Sequence, residues 1–500
     1  MSNTTLNDVN SHTDLDDLIH PSRFSSLPKD FFAPVSPTPL SKPYLIGINQ
    51  DAVTEFNLSD SIHDHPDFIA RFTGNSVSKK AIPIASVYSG HQFGVWAGQL
   101  GDGRALLLGD ALNQERQTVE IQLKGAGITP FSRMGDGRAV LRSSIREFLC
   151  SEAMFGLGIP TSRALCITGS DQYVMRETPE TSAVVARYAP SFIRFGSFEH
   201  WYYNQRPDEL KALADFTLTH YYPELQGLAN PYKALLTQVT EKTAKLIAQW
   251  QSVGFMHGVM NTDNMSILGL TIDYGPFGFM EAYDMNHICN HSDHQGRYAY
   301  HMQPTIGHWN CHALAQALLP LIGSIEETQE ALNSYKVSYE TQWELLLQQK
   351  FGLSEHQDHD LDLFESFFQL LQANHADMTL SFRYLSKINN QMSANDEALR
   401  DLFIDRNALN EWLKLYRDRL MSENSDEKKR HQIMQARNPK YILRNYLAQI
   451  AIEKAQKKDF SEIAKLLAIL KNPYLEQDEY DDYAQLPPDW AKNLEVSCSS

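Results

Sequence analysis

The chain has 500 residues and a formal net charge of −17, which disfavours a protein that wraps nucleic acid, because neutralising phosphates requires clustered Lys and Arg. Its five cysteines form no CxxC pair and no disulfide-type spacing, and neither a long apolar run nor a basic-then-apolar leader is present. We therefore expect a cytoplasmic globular protein with no membrane segment and no nucleic-acid partner.

The first 75 residues are predicted to form an N-terminal arm. Its first twenty residues are polar and are expected to be mobile. Residues 27–48 carry five prolines among aromatic residues, a composition that favours an extended segment on the surface over regular structure.

Residues 76–190 are predicted to form a β-rich lobe. Apolar or alternating runs typical of strands occur at 105–108, 118–123 and 173–176, and one helix is expected over about 142–155. Lys124 ends the second strand, and Glu147 lies in the helix. Protein kinases aim an ammonium at phosphates with this Lys–Glu arrangement, whereas a solvated strand-end lysine is the alternative.

Two Gly-Asp-Gly-Arg tetrapeptides flank the strand that ends at Lys124, at residues 101–104 and 135–138. Glycine allows the backbone to approach an anion closely, and arginine offers a planar fork for phosphate oxygens, although Gly-Asp-Gly is also an ordinary turn. Further arginines follow in the sequence: Arg133, Arg138, Arg142, Arg146, Arg187 and Arg194. In an acidic protein this gathering predicts a polyphosphate site, with salt bridges on a solvated face as the alternative.

Residues 191–325 are predicted to form a helical lobe with a catalytic loop. A long helix with one buried face is expected to end at Gly254, and the loop from His257 to Asn264 follows it. Residues 266–268 and 270–272 are predicted as two short strands that lead to Asp273-Tyr-Gly. This is the order of a kinase site, in which the loop Asn and the second Asp hold metals, but Val259 stands where the kinase base belongs.

Residues 326–500 are predicted to be a helical extension with a loose acidic tail. Before it, the segment 287–294 contains three His, one Cys and one Asp, yet its spacing matches none of the usual zinc patterns. We expect a folded loop there.

The chain resembles the selenoprotein O family of kinase-like protein adenylyltransferases. The matching stretches lie at 88–105, 122–149, 257–279, 290–298 and 438–449. Cys498 stands where some relatives have selenocysteine, and Glu281 departs from the Asp expected after the Pro-Phe-Gly-Phe run. The resemblance implies an α+β, two-lobed protein-kinase-like fold with an N-terminal arm and a C-terminal helical extension.

The resemblance also implies the site residues and an ATP molecule bound inverted relative to kinases, with its α-phosphate facing the acceptor. The implied nucleotide contacts are Gly101, Gly103, Arg104, Lys124, Asp136, Gly137, Arg187, Arg194 and Asp273. Asn264 and Asp273 are implied to bind Mg²⁺ or Mn²⁺, and Asp263 is implied to be the general base.

The predicted function is transfer of AMP from ATP to Ser, Thr or Tyr hydroxyls of protein substrates, with UMP transfer as a second activity open to such a site. A kinase with a relocated base and a catalytically silent nucleotide-binding scaffold are the alternatives. The missing kinase base argues against the first, and the two metal ligands argue against the second. We also predict that Cys498 pairs with Cys289 under oxidation, against the alternative of an inert tail cysteine.

Overall fold

A computed structural model describes residues 15–394, 396–423 and 425–494 of the chain, which is mixed α/β. The strands in these residues are β1 Phe32–Pro34, β2 Tyr44–Ile48, β3 Ile84–Ser86, β4 His91–Gln92, β5 Val95–Trp96, β6 Ala105–Leu112, β7 Thr118–Lys124, β8 Ala139–Val140, β9 Arg163–Met175, β10 Pro179–Ala189, β11 Phe255–Met256 and β12 Gly278–Phe279. Eight of them form one sheet in the order β1-β3-β6-β7-β10-β9-β2, with β8 paired to β10. The remaining strands form the hairpin β4–β5 and the pair β11–β12.

The helices are concentrated after the large sheet. Those in the described residues are α1 Leu15–Leu18, α2 Gln50–Glu55, α3 Pro66–Thr73, α4 Leu141–Gly156, α5 Phe195–Tyr203, α6 Pro207–Tyr221, α7 Pro231–Ser252, α8 Gln303–Ile322, α9 Ile325–Phe351, α10 Asp360–Asn374, α11 Met378–Leu385, α12 Asp396–Arg400, α13 Arg406–Ser422, α14 Glu427–Gln435, α15 Asn445–Gln456 and α16 Ser461–Lys471. None of the helices in this part of the chain is both long and apolar enough to cross a membrane.

Strand β7 is the centre of the sheet and fixes several polar side chains. It pairs antiparallel with β6 and with β10, and six of its seven residues are buried. In this register Gln122 lies directly opposite Arg187, and Lys124 lies opposite Ala105 at the end of the strand. The strand predicted to end at Lys124 is confirmed.

Helix α4 packs on the sheet and is covered from the other side by the C-terminal helices. Ile145 and Phe148 of α4 belong to the same apolar core as Ala451 of α15 and Leu466 of α16. Because α4 is clamped between two layers, the Glu147 side chain has a fixed position relative to the sheet.

Helix α7 and its buried Trp250 position the loop that follows. The helix ends at Ser252, and Gly254 has a left-handed φ of +69°, as expected for a helix stop. The Trp250 indole N–H donates to Thr271 Oγ1 at 2.9 Å, and the His257 ring stacks on Trp250 with centroids 5.4 Å apart.

The predicted strands at residues 266–268 and 270–272 are wrong. Only an isolated bridge joins Met265 to Thr271. The two sides of this turn pair outward instead, Ser266 with Arg194 and Thr271 with Thr161. Their backbone groups are therefore satisfied by neighbouring segments, and no two-stranded ladder is needed.

The prediction for the N-terminal arm is also partly wrong. Residues 15–18 form α1, whose Leu15 and Leu18 are buried, although the first twenty residues were expected to be mobile. The proline-rich segment supplies β1 and β2, which are the two edge strands of the large sheet. Proline is tolerated at sheet edges because the missing N–H is not needed by a further strand.

The acidic segment near the C-terminus is ordered where it was expected to be loose. It contains short 3₁₀ turns at Asp478–Ala484 and Asp489–Asn493. Lys440 pairs with Glu476 and Asp481 at 2.6 and 2.5 Å, which holds the acidic segment onto the loop between α14 and α15.

Candidate active site

A cavity of about 890 Å³ lies between the ends of the central strands and the loop after α7. All the residues that the family resemblance implies for the site line this one cavity: Gly101, Gly103, Arg104, Lys124, Asp136, Gly137, Arg187, Arg194, Asp263, Asn264 and Asp273. The structure thus brings together side chains that are up to 172 positions apart in the sequence.

Lys124, Arg187 and Glu147 form a buried network at the floor of the cavity. Lys124 Nζ lies 2.6 Å from Glu147 Oε2, and Arg187 Nη1 lies 2.8 Å from Glu147 Oε1. Gln122 accepts two further hydrogen bonds from the Arg187 guanidinium at 2.8 and 2.6 Å. The predicted Lys–Glu pair is therefore present, and one carboxylate orients two cations.

Three cations of the cavity converge on the Asp273 carboxylate. This carboxylate contacts Lys124 at 3.2 Å, Arg187 at 2.9 Å and also Arg194. Burial alone would raise the pKa of Asp273, but the three cations hold the pKa well below its usual value. Its φ of +59° is an uncommon left-handed conformation for a residue other than glycine, which a packed site can maintain.

Asp263 is buried in the short turn Thr262–Asn264 and is 8% exposed. Gln92 Nε2 donates to its Oδ2 at 3.3 Å, whereas Oδ1 is buried with no hydrogen-bond partner. Burial raises the pKa of Asp263 to about 6, against the opposing effect of Arg194. A carboxylate of this kind is ionised at neutral pH but accepts a proton more readily than an ordinary aspartate.

Asn264 and Asp273 offer oxygen atoms suited to a divalent cation. Asn264 Nδ2 donates to the Val259 carbonyl at 3.0 Å, which leaves its Oδ1 as the side-chain atom available for a ligand. Mg²⁺ commonly takes one or two protein oxygens together with phosphate oxygens, so this donor set fits it. No cluster of three His, Cys, Asp or Glu side chains with metal-site geometry occurs in the described part of the chain.

The two Gly-Asp-Gly-Arg loops form the other wall. Gly101 has a φ of +113°, and a Cβ there would come within 2.5 Å of the Phe131 ring. Gly137 has a φ of +69°. Asp136 binds Arg176 through both oxygens at 2.8 and 3.0 Å, so this loop is tied to the turn between β9 and β10.

Five of the six arginines predicted to gather at a polyphosphate site line the cavity, and Arg146 does not. Arg146 is buried elsewhere, where it donates to the Phe277 carbonyl. Arg138 reaches the cavity edge, but its guanidinium donates to the carbonyls of Thr38 and Pro39 in the N-terminal arm. Both guanidinium groups therefore bind backbone carbonyls and have a structural role in place of the predicted phosphate contact.

Among the polar residues of the cavity wall that the sequence prediction did not assign are Tyr88, Gln92, Asp102 and Arg176. The first three lie inside the stretch 88–105 that carries the family resemblance, and Asp102 also belongs to the first Gly-Asp-Gly-Arg tetrapeptide. Tyr88 and Gln92 follow no spacing with a recognised chemistry, and the sequence indicates Arg176 only as the end of a strand.

The segment 287–294 is a folded loop, as predicted. Asp293 accepts from the backbone N–H groups of Arg297 and Tyr298 at 3.0 and 2.7 Å, and Asn290 Nδ2 donates to the Gly258 carbonyl. Burial raises the pKa of the Cys289 thiol in this loop to about 12. Cys498 lies outside the described residues, so its pairing with Cys289 stays a prediction.

Comparison with known proteins extends these observations to nearly the whole chain. The family model of the protein adenylyltransferase SelO matches residues 14–471. A protein nucleotidyltransferase YdiU from Herminiimonas arsenicoxydans is 60% identical over 489 residues, covering 97% of this chain and 98% of that protein. Proteins of the same name from Burkholderia pseudomallei (strain 1710b) and Burkholderia thailandensis are each 53% identical, over 95% and 92% of both chains respectively. The likeness therefore covers whole proteins and not a single motif.

Proposed function

Because the chain belongs to the protein adenylyltransferase SelO family, and is therefore a protein nucleotidyltransferase that uses ATP, we propose that it transfers AMP to Ser, Thr or Tyr hydroxyls of other proteins. One observation carries the proposal. Three buried cations converge on Asp273 in the same cavity that Asp263 lines, and one carboxylate oxygen of Asp263 has no hydrogen-bond partner. A polyphosphate needs the first arrangement, and an acceptor hydroxyl needs the second.

We propose that the sheet and the helices form the two lobes of a kinase-like fold. The pair Lys124–Glu147, the loop residue Asn264 and the following Asp273 are the parts that a kinase uses for a nucleotide and its metals. Val259 lines the cavity at the position of the kinase base and cannot accept a proton. This difference favours nucleotidyl transfer over phosphoryl transfer.

The burial of the cations supports an ATP molecule whose polyphosphate enters the cavity deeply, in the orientation inverted relative to kinases. Arg187 and Arg194 are each 2% exposed, so they would hold the β- and γ-phosphates at the closed end of the cavity. Asn264 and Asp273 would hold Mg²⁺ or Mn²⁺, which supplies charge neutralisation when bound. Because these arginines now contact Asp273, nucleotide binding would exchange carboxylate contacts for phosphate contacts.

Asp263 would act on the acceptor. Its carboxylate takes the proton of the hydroxyl, the hydroxyl oxygen forms a bond to the α-phosphorus, and the bond between the α-phosphorus and the bridging oxygen breaks. Pyrophosphate leaves with the electron pair of that bond. Lys124 and Arg187 remain to balance its charge.

Two labelled forms of ATP test the proposal directly. The protein is incubated with Mg²⁺, casein as acceptor, and ATP labelled at either the α- or the γ-phosphate. Label retained on protein from the α position alone supports AMP transfer. Label from the γ position alone would mean a kinase, and label from neither would mean a silent scaffold.

A further inference from the structure

The hairpin β4–β5 lies against the loop that carries Asp263 and is bonded to it on both sides of Gln92. The His91 N–H donates to Thr262 Oγ1 at 2.7 Å. The Phe93 N–H donates to Asn261 Oδ1 at 3.1 Å. The hairpin is thus fixed to the loop immediately before and immediately after Gln92.

The hairpin is also held in place at its turn and on its other face. Phe93 and Gly94 have φ of +50° and +80°, the left-handed pair of a tight two-residue turn. The His91 ring binds the fully buried Glu199 and packs against Trp309, with ring centroids 5.4 Å apart. The backbone at Gln92 therefore has little freedom to move relative to the loop.

The two oxygens of Asp263 both face this hairpin. Gln92 Nε2 donates to Oδ2, and Gly90 lies on the Oδ1 side, where a Cβ would come within 3.0 Å of Oδ1. Gln92 also lines the cavity, as Asp263 does. No step of the proposed reaction uses Gln92.

We propose that Gln92 is a positioning residue: its side-chain amide fixes the plane of the Asp263 carboxylate so that the carboxylate meets the acceptor hydroxyl in line with the α-phosphorus. The inference rests on the proposed function, since it assigns Gln92 to the base of that reaction. The proton still moves from the hydroxyl to Asp263, and Gln92 neither gains nor loses a proton. A misplaced base slows the chemical step but leaves nucleotide binding intact.

Gln92→Ala tests the proposal with α-labelled ATP, Mg²⁺ and casein. We expect kcat to fall about tenfold, the value of one hydrogen bond to a charged group, while the Kd for ATP measured by calorimetry stays within twofold of the wild type. An unchanged kcat would overturn the proposal. An equal loss in ATP affinity would also overturn it, because Gln92 would then serve the nucleotide.

Gln92→Glu separates hydrogen bonding from shape. Glutamate has the same length but offers no N–H at neutral pH and adds a like charge, so its kcat should be at least as low as that of Gln92→Ala. A wild-type kcat in this variant would mean that shape alone suffices, and the proposal would fail. The exposed Gln172 on β9 supplies the control, since Gln172→Ala should leave both constants unchanged.

Gly90→Ala gives a second route to the same carboxylate. The added methyl group would come within 3.0 Å of both Asp263 Oδ1 and Thr262 Oγ1, so we expect it to shift the carboxylate and lower kcat while ATP affinity is preserved. Asp263→Asn reports on the proposed function itself. If Asp263→Asn transfers label as well as the wild type, the assignment of the base fails; if only Asp263→Asn is impaired, the inference about Gln92 alone fails.

Discussion

Two regions of this protein bury clusters of charged side chains, and the ratio of cations to carboxylates differs between them. At the cavity, three cations meet the carboxylates of Asp273, Glu147 and, at 4.0 Å from Arg194, Asp102. The cluster faces an open volume of about 890 Å³ that is lined by eight basic and five acidic side chains. Between α11 and α15, Arg444 meets two carboxylates, Asp377 at 2.7 Å and Glu281 at 3.7 Å, inside packed helices.

The contrast shows what separates a binding site from a structural ion pair. An excess of cations beside open space leaves positive charge for an anionic ligand, whereas the Arg444 cluster has no charge to spare for a ligand. Glu281 belongs to that structural cluster, and burial raises its pKa to about 7. The departure from the expected Asp at this position therefore lies away from the candidate active site.

Asp273→Ala should produce the largest effect and is the strongest test of the comparison. The substitution removes the proposed metal ligand, so we expect AMP transfer to fall about 10³-fold or more, measured with α-labelled ATP. Circular dichroism checks that the variant is folded. The exposed Asp171, which pairs with Lys458 at the surface, is the control, and Asp171→Ala should keep full activity. Near-normal transfer by folded Asp273→Ala would refute the metal assignment.

Asp377→Ala should lower stability and leave activity unchanged, the opposite of Asp273→Ala, because it breaks the structural cluster. Asp377 accepts from the Leu380 N–H at 2.8 Å and pairs with the fully buried Arg444. Its loss removes the nearer of the two partners of a buried cation and should reduce the free energy of unfolding by about 3 kcal/mol, measured by urea denaturation. The folded fraction should retain its AMP-transfer rate. Asp481→Ala, at a surface pair, should change stability by less than about 1 kcal/mol. A wild-type urea midpoint for Asp377→Ala would mean that the Arg444 cluster does not stabilise the fold, and the contrast between the two regions would be wrong.

The parts of the site that could be predicted share a local pattern. Lys124 closes an alternating strand, and Glu147 lies on the helix that follows it in the sequence, so each residue is placed by its own segment. The strand register then aligns Gln122 with Arg187. Residue types with a recognised spacing led to the cavity without any knowledge of its shape.

The parts that could not be predicted depend on docking between distant segments. The bond from Gln92 to Asp263 joins residues 171 positions apart, and it exists because a two-residue turn folds a hairpin onto the loop. The edge strands in the proline-rich arm were missed for a similar reason. Proline marks a segment as irregular when it is judged alone, and only the neighbouring strand shows that it completes a sheet edge.

Arg187→Ala tests whether a buried cation of the cavity binds the phosphates of the nucleotide. If Arg187 holds the β/γ end of ATP, its loss should weaken ATP binding about ten- to a hundredfold and leave AMP binding nearly unchanged, as measured by calorimetric titration. Arg163→Ala is the matched control, because Arg163 pairs with Glu152 in a buried contact away from the cavity and should affect both nucleotides equally little. Equal losses for ATP and AMP in Arg187→Ala would assign the arginine to the framework or to the nucleoside end.

Lys350 is a third kind of buried charge and carries the smallest expected effect. It is 3% exposed, its Nζ lies 4.2 Å from the Phe382 ring, and it forms no ion pair within residues 15–394, 396–423 and 425–494. Burial lowers its pKa to about 7, well below that of a lysine in the unfolded chain. If only paired or ligand-facing charges stay ionised inside this protein, Lys350 should be neutral above about pH 7 in the folded state.

The sign of the resulting pH dependence follows from proton counting. Between about pH 7 and the ordinary lysine pKa, the unfolded chain binds a proton at Lys350 that the folded protein does not, so stability should rise with pH through this window. The slope should be up to about 1.4 kcal/mol per pH unit, and Lys350→Met should remove it. Urea midpoints at pH 7.5, 8.5 and 9.5 measure the difference, and Lys336→Met at an exposed position should keep the wild-type slope. Identical slopes for Lys350→Met and the wild type would mean that this lysine remains charged. Burial without an ion-pair partner would then not predict which side chains of this protein lose their charge.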